Sequence, residues 1–356
     1  MRINDKEPAV PAPASLKAMF EPTPQEPTQV PKILGYGLAI ACLIWVLHDF
    51  HIMKALRDLA MVDYKWVLLG MGFDVLSYVV QAARWKFLLS PFGKVRLTKA
   101  IRSVYAGLFA NLVFPLRPGE LLRSYLLSNS EDISIGRVLG SVGVERLIDL
   151  VIAVAALAVA SLMVDLQQFR KIVYTLAIVT LVLLGIVVAL ILYLEMKLGD
   201  RQSFEGRKAR LPGKFMSALV DLHAMGTSPS FYPAVLFSLL MPACQVGGLW
   251  AVMQGYKLHL PFFAAVVVLL VINLGVSLPN APANIGAWQF FCVLGLGWFD
   301  IEKSTATGFS IFAFLALNLP FVFLGFAALV RSGLSLKDMR ERVSHLPSEV
   351  RPVAPG

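Results

Sequence analysis

Long apolar runs broken by short polar stretches fill the chain from about residue 33 onward, and their lengths sort them into two kinds. Runs at about 33–47, 66–89, 137–164, 172–194, 231–256 and 305–330 are read as membrane-spanning helices. About 20 apolar residues, rising about 1.5 Å each, cross a hydrocarbon core of about 30 Å. The fourth of these runs has no charged side chain between residues 172 and 194. Two further regions, 98–128 and 261–299, are apolar only in halves. Pro115, Pro118 and Gly119 interrupt the first, and Pro279, Pro282 and Gly286 the second. Each half is too short to cross, so each region is expected to form a broken or re-entrant helical hairpin. A short amphipathic stretch is expected at 51–62 and a basic polar loop at 197–214. The pattern predicts an all-α polytopic membrane protein with about six full transmembrane helices and two re-entrant hairpins.

Charge gives this arrangement an orientation. Lys and Arg number six between Arg84 and Arg102, six between Lys197 and Lys214, and five from Arg331 onward. The intervening loops at 165–171 and 255–261 hold two and one. Basic loops stay in the cytoplasm, so both termini are expected there, with the first hairpin entering from the cytoplasm and the second from outside. Two units follow, each a span, a hairpin and a span, in opposite orientation. Asn111-Leu112 ahead of Pro115 and Pro118 is echoed by Asn273-Leu274 ahead of Pro279 and Pro282, which predicts an inverted repeat. Broken helices in such repeats build transporter sites near the bilayer midplane. Residues 1–31 and 333–356 are expected to be flexible cytoplasmic tails around a membrane domain at 32–332.

Composition supports the membrane reading. The chain is 57% hydrophobic and 15% charged, against about 45–50% and about 25% in soluble domains. Its mean hydropathy is +0.69. The net charge of +9 lies at the ends of apolar runs, which fits anionic headgroups and excludes a nucleic-acid partner. Cys42, Cys244 and Cys292 sit in apolar runs without metal-ligand or disulfide spacing. No phosphate-binding glycine loop, nucleophile elbow or HExxH metal helix occurs, so no catalytic residue, metal or cofactor is expected.

The candidate chemistry is polar and buried. Arg117, Glu120 and Arg123 flank the first Pro/Gly break, where a restarting helix presents free N–H groups and arginine forks match phosphate. Simple snorkelling of these arginines to headgroups is the alternative. Glu145, Arg146 and Asp149 share adjoining faces of the 137–164 span. Charges there cost about 2.5–3.5 kcal/mol each at a helix centre, so they are expected to face inward and pair with one another, Arg84, Arg117 or Arg123. A purely structural ion-pair cluster is the alternative. Asp74, Gln81 and Arg84 form one stripe of the 66–89 span. Asn111, Asn280, Asn284 and Gln289 are uncharged candidates in the hairpins, with turn formation as the alternative for the last three. Gly136 and Gly140 form a GxxxG expected to pack helices.

The stretches Arg84-Trp85-Lys86, Phe109-x-Asn111-x-x-x-Pro115-x-Arg117-x-Gly119-Glu120-x-x-Arg123 and Val144-Glu145-Arg146-x-x-Asp149 resemble the flippase-like membrane domain of lysylphosphatidylglycerol synthases, over roughly residues 33–331. Two positions depart from that family: Pro118 replaces a usual small residue, and Gln289 a usual Glu. The resemblance implies translocation of a lipid or lipid-linked compound. The aminoacyl-transferring domain of the full synthases has no counterpart in these 356 residues, so a stand-alone member that makes no lysylphosphatidylglycerol is expected. The combined expectation is a multi-pass cell-membrane transporter, in the bacterial inner membrane, for a lipid with an anionic headgroup. Arg84, Asn111, Arg117, Glu120, Arg123, Glu145, Arg146, Asp149, Asn284 and Gln289 would be its substrate-binding residues. An integral-membrane lipid-modifying enzyme and a non-transporting partner of a separate lipid synthase are the competing readings.

Overall fold

The computed structural model describes residues 30–48, 50–114, 118–163, 221–277 and 281–332, with isolated positions 178, 182 and 185. The expected span at 172–194, apart from those three positions, the basic loop at 197–214 and nearly all of both tails lie outside the described residues. Among the described residues the regular structure is helical: α1 (Val30–Leu47), α2 (Ile52–Ala60), α3 (Tyr64–Leu89), α4 (Leu97–Val113), α5 (Gly119–Glu131), α6 (Ile135–Met163), α7 (Phe231–Gly255), α8 (Phe262–Val276), a 3-10 turn (Pro282–Asn284), α9 (Ala287–Gly297) and α10 (Lys303–Arg331).

The helix ends follow from local chemistry. The Asp63 side chain accepts a hydrogen bond from the Lys65 N–H at the start of α3, and Pro91 follows its end, where a helix cannot continue. Pro118 and Pro261 stand immediately before α5 and α8. Three helices, α3, α7 and α10, are long and apolar enough to cross a membrane, or four if α1 and α2, bent by 79° at their junction, form one span. Helix α6 equals α10 in length, at 29 residues, but carries the charged cluster. The arms of the two hairpins run to 17 and 13 residues in α4 and α5, and 15 and 11 in α8 and α9. None reaches spanning length, as the Pro/Gly breaks predict. The amphipathic α2 rests on the start of α10 through a Lys54–Glu302 ion pair and a hydrogen bond from the His51 N–H to Ser304 Oγ.

Helices α3 and α7 make the most extensive helix contact. They run antiparallel: the Asp63 N–H donates to Gly255 O at one end, and Phe87 stacks on Phe237 at the other. Their backbones meet at Gly70 and Gly248, where a Cβ on Gly70 would stand 2.7 Å from Gly248 O and one on Gly248 3.0 Å from Gly70 O. The remaining contacts among helices α3 to α10 come in matched pairs. Helix α3 touches α4, α6 and α10, while α7 touches α8, α10 and α6. The hairpin α4–α5 matches α8–α9, α5 on α6 matches α9 on α10, and α4 on α10 matches α8 on α6. Exchanging α3–α6 with α7–α10 therefore maps every one of these contacts onto another. Because the exchange relates two antiparallel helices, its two-fold axis lies across them, which is the geometry of an inverted repeat.

Among the described residues no helix packs closely on the expected GxxxG. A Cβ on Gly136 would meet nothing within 4 Å, and one on Gly140 only Met225 Cε, at 3.9 Å. Close backbone approach instead uses Gly70 with Gly248, and Gly107 with Gly119, which face different helices without GxxxG spacing.

Candidate functional site

The charged side chains of three helices converge between α3, the first hairpin and α6. Arg84 of α3 and Glu145 of α6 are fully buried, with Arg84 Nε 3.5 Å from Glu145 Oε1. Glu145 Oε2 accepts from Arg123 Nη2 of α5 at 2.6 Å. The Arg123 guanidinium lies 4.8 Å above the Trp85 ring, and Trp85 Nε1 donates to Ser141 Oγ at 2.8 Å. Arg84 also pairs with Asp149 and approaches Ser238 Oγ of α7 at 3.4 Å. Arg146 pairs with Glu120, and its Nη1 stands 3.8 Å from Asp149 Oδ2. Three arginines thus balance three carboxylates. Glu145 falls ten residues into α6, about 15 Å along the helix. Charges at such depth are tolerated because each finds a partner inside the protein.

The cluster is graded in exposure. The Arg84–Glu145–Arg123 core is sealed, whereas the side chains of Arg146 and Glu120 are 52% and 38% exposed. The sealed part ties α3, α5 and α6 together. The open pair is the part able to exchange partners. Among the described residues, Arg123 Nε and Nη1 and Arg84 Nε have no hydrogen-bond partner, so the buried arginines retain unused donors.

The first hairpin is closed by glycine and by Asn111. A Cβ on Gly119 would stand 2.0 Å from Gly107 O, so α4 and α5 approach as only glycine permits. Asn111 Oδ1 accepts from the Gly119 N–H at 2.7 Å, satisfying one free donor at the start of α5. In the second hairpin that function passes to Gln289, whose Oε1 accepts from the Gly286 N–H at 2.8 Å. Gly286 holds φ at +88° and lies against the α1 backbone, where a Cβ would be 2.4 Å from Ala39 O.

A cavity of about 370 Å³ opens beside the open ion pair. Both hairpins line it: Asn111, Glu120 and Arg123 from the first, Asn273 and Ser277 from the second. Helix α6 adds Arg146 and Asp149, then Ile152, Ala153 and Ala156, one to two turns further on. Met241 of α7 and Val266, Leu269 and Leu270 of α8 extend the apolar wall. A larger hollow of about 730 Å³, between α1 and Pro282–Ile285, is open, almost wholly apolar and without a charged residue.

Of the sequence candidates, Asn111, Glu120, Arg123, Arg146 and Asp149 line the cavity, while Arg84 and Glu145 support it from behind. Asn284 and Gln289 line neither hollow. Gln289 caps α9, and Asn284 adopts a left-handed backbone, φ +58°, in the tip of the second hairpin. Arg117, with Pro115, Pro279 and Asn280, lies outside the described residues. Sequence reasoning missed Gln245, Ser238 and Ser277 and did not place Asn273 in the site. One signal was present: Gln81 and Gln245 are separated by the same number of residues as Pro118 and Pro282.

The helical repeat, its folded-back hairpins and the deep ion-pair cluster define a polytopic membrane protein with a polar centre. Residues 32–325 match the profile described as the lysylphosphatidylglycerol synthase TM region, and the chain belongs to that family. A 120-residue stretch is 29% identical to the UPF0104 membrane protein MJ1595 of Methanocaldococcus jannaschii. It covers 33% of this chain and 34% of that protein, so the chain spans about a third of the length of the relative it matches.

Proposed function

We propose that this protein is a membrane transporter that moves a lipid with an anionic headgroup between leaflets. The observation that carries the reading is the cavity that both hairpins line, charged at the Arg146–Glu120 pair and apolar along α6 and α8. A headgroup phosphate exchanging with Glu120 for Arg146 gains a charge-assisted contact, and acyl chains lie against Ile152, Ala156 and Leu269. The two-fold arrangement of the helices supports alternating access, in which one unit rocks against the other around a fixed site. Arg117 would add a phosphate ligand at the hairpin turn. In this reading the protein resides in the cell membrane with both termini in the cytoplasm, and a separate lipid synthase would supply its cargo.

The test uses purified full-length protein in liposomes holding a fluorescent anionic phospholipid and a membrane-impermeant quencher. Protein-dependent loss of protection of the inner-leaflet lipid is expected, reduced in Arg146→Gln. A rate equal to that of empty liposomes refutes transport. New lipid products by mass spectrometry would instead favour the lipid-modifying enzyme.

A further inference from the structure

The charged cluster is internally balanced, so charge alone does not define what the cavity holds. Besides Tyr78 and two serines, Ser238 and Ser277, whose hydroxyls donate to the Ala234 and Leu274 carbonyls of their own helices, its other polar groups are carboxamides. Gln81 of α3, Asn111 of α4, Gln245 of α7 and Asn273 of α8 all line it, one carboxamide from each of four helices. They form two pairs under the two-fold exchange of α3 with α7 and α4 with α8. Gln81 and Gln245 share the residue spacing of Pro118 and Pro282, while Asn111 and Asn273, each followed by Leu, lie on corresponding helices but two residues out of that spacing.

The pairs differ in what they already bind. Asn111 Oδ1 is committed to the Gly119 N–H. Its mate has no such duty, because Gln289 caps the second hairpin. The side chains of Gln81, Gln245 and Asn273 make no hydrogen bond among the described residues. Gln81 is 93% buried, being only 7% exposed, and it borders the cavity. An occupant there would find its amide donors and acceptor free.

A carboxamide presents an acceptor oxygen beside two N–H donors. Phosphate offers only acceptors and an ammonium only donors, so either would match half of each amide. A hydroxyl both donates and accepts and matches the whole group. We infer that the transported headgroup is polyhydroxylated, a polyol or sugar beside its phosphate, with its hydroxyls held by Gln81, Gln245 and Asn273. This rests on the lipid-transport reading. The phosphate falls to Arg146 and the hydroxyls to the amides that line the same cavity. The apolar wall takes the chains.

The experiment measures binding of three lipids to the purified full chain in detergent by native mass spectrometry: phosphatidylinositol, with phosphate and hydroxyls; phosphatidic acid, with phosphate alone; and a glucosyl diacylglycerol, with hydroxyls alone. Phosphatidylinositol is expected to bind about tenfold more tightly than phosphatidic acid, the difference made by one or two well-matched hydrogen bonds. The glycolipid is expected to bind detectably. In Asn273→Leu and Gln245→Leu the ratio of phosphatidylinositol to phosphatidic acid binding is expected to fall towards one. Equal binding of these two lipids by the parent overturns the inference while leaving lipid transport standing. An unchanged ratio in both variants also overturns it. Failure of all three lipids to bind refutes the transport reading together with the inference.

Discussion

At the scale of single residues, the cluster separates structural charge from exchangeable charge. Glu145 is enclosed between Arg84 and Arg123, and removing its charge strands two buried guanidinium groups. Breaking a buried pair costs about 3–5 kcal/mol in soluble proteins. In a membrane the reference state finds other partners, which lowers the figure. Arg146 and Glu120 are half exposed, and pairs of that kind contribute about 0–1 kcal/mol. Glu145→Gln should therefore lower the melting temperature in detergent, whereas Arg146→Gln should melt close to the parent and lose lipid movement. If Glu145→Gln is as stable as the parent, the enclosed carboxylate is not a keystone. The charges in α6 were legible in the sequence, because uncompensated charge within a span demands a partner. Which partner was not legible: Arg84 and Arg123 reach Glu145 from helices whose relative rotation no local pattern encodes. Of the amides, Gln245 and Asn273 escaped notice for a different reason. Uncharged polar residues beside a Pro/Gly break resemble turn formers, and only the repeat spacing singles out Gln245.

At the scale of the helix, the hairpins depend on small residues at chosen points. Gly119 packs against Gly107 with no room for a methyl group. Gly119→Ala must part α4 from α5 and pull the Gly119 N–H away from Asn111, at a cost of about 1–3 kcal/mol by analogy with overpacked cores. Gly136→Ala meets nothing within 4 Å among the described residues and should be neutral or slightly stabilising, given the helix preference of alanine. Thermal melts of the two variants check the pair, and equal destabilisation would contradict the packing described. The contrast also explains why the GxxxG signal did not mark the close helix contacts among the described residues. Spacing along one helix reports that a smooth stripe exists, but not that another helix lies against it. The Pro/Gly breaks were the reliable signals, because a missing N–H and a forbidden φ act locally wherever the chain is placed.

At the scale of the molecule, the antiparallel pairing of α3 with α7 makes the two helices run in opposite directions, and the Lys and Arg distribution predicts which side each end faces. Cysteine labels at Gln202 and Ser348 should react from the cytoplasmic side and a label at Lys257 from the opposite side. Labelling of Lys257 and Gln202 from the same side rejects the orientation. The contact of α4 with α10, matched by that of α8 with α6, has a consequence for how the chain is made. Each hairpin finishes its packing against a helix from the other unit, so neither unit is complete as a nascent product. Of the described helices the ribosome delivers α4 early and α10 last, and throughout the interval Phe109 lacks Phe326 and Tyr105 lacks Phe321. The early hairpin must therefore wait in the bilayer, exposed to quality-control proteases, until α10 arrives. A chain stopped before Lys303 should insert and then be degraded within a pulse-chase, while supplying α10 as a separate peptide should prolong its life. Equal lifetimes for the truncated and full chains would mean that the hairpin is self-sufficient.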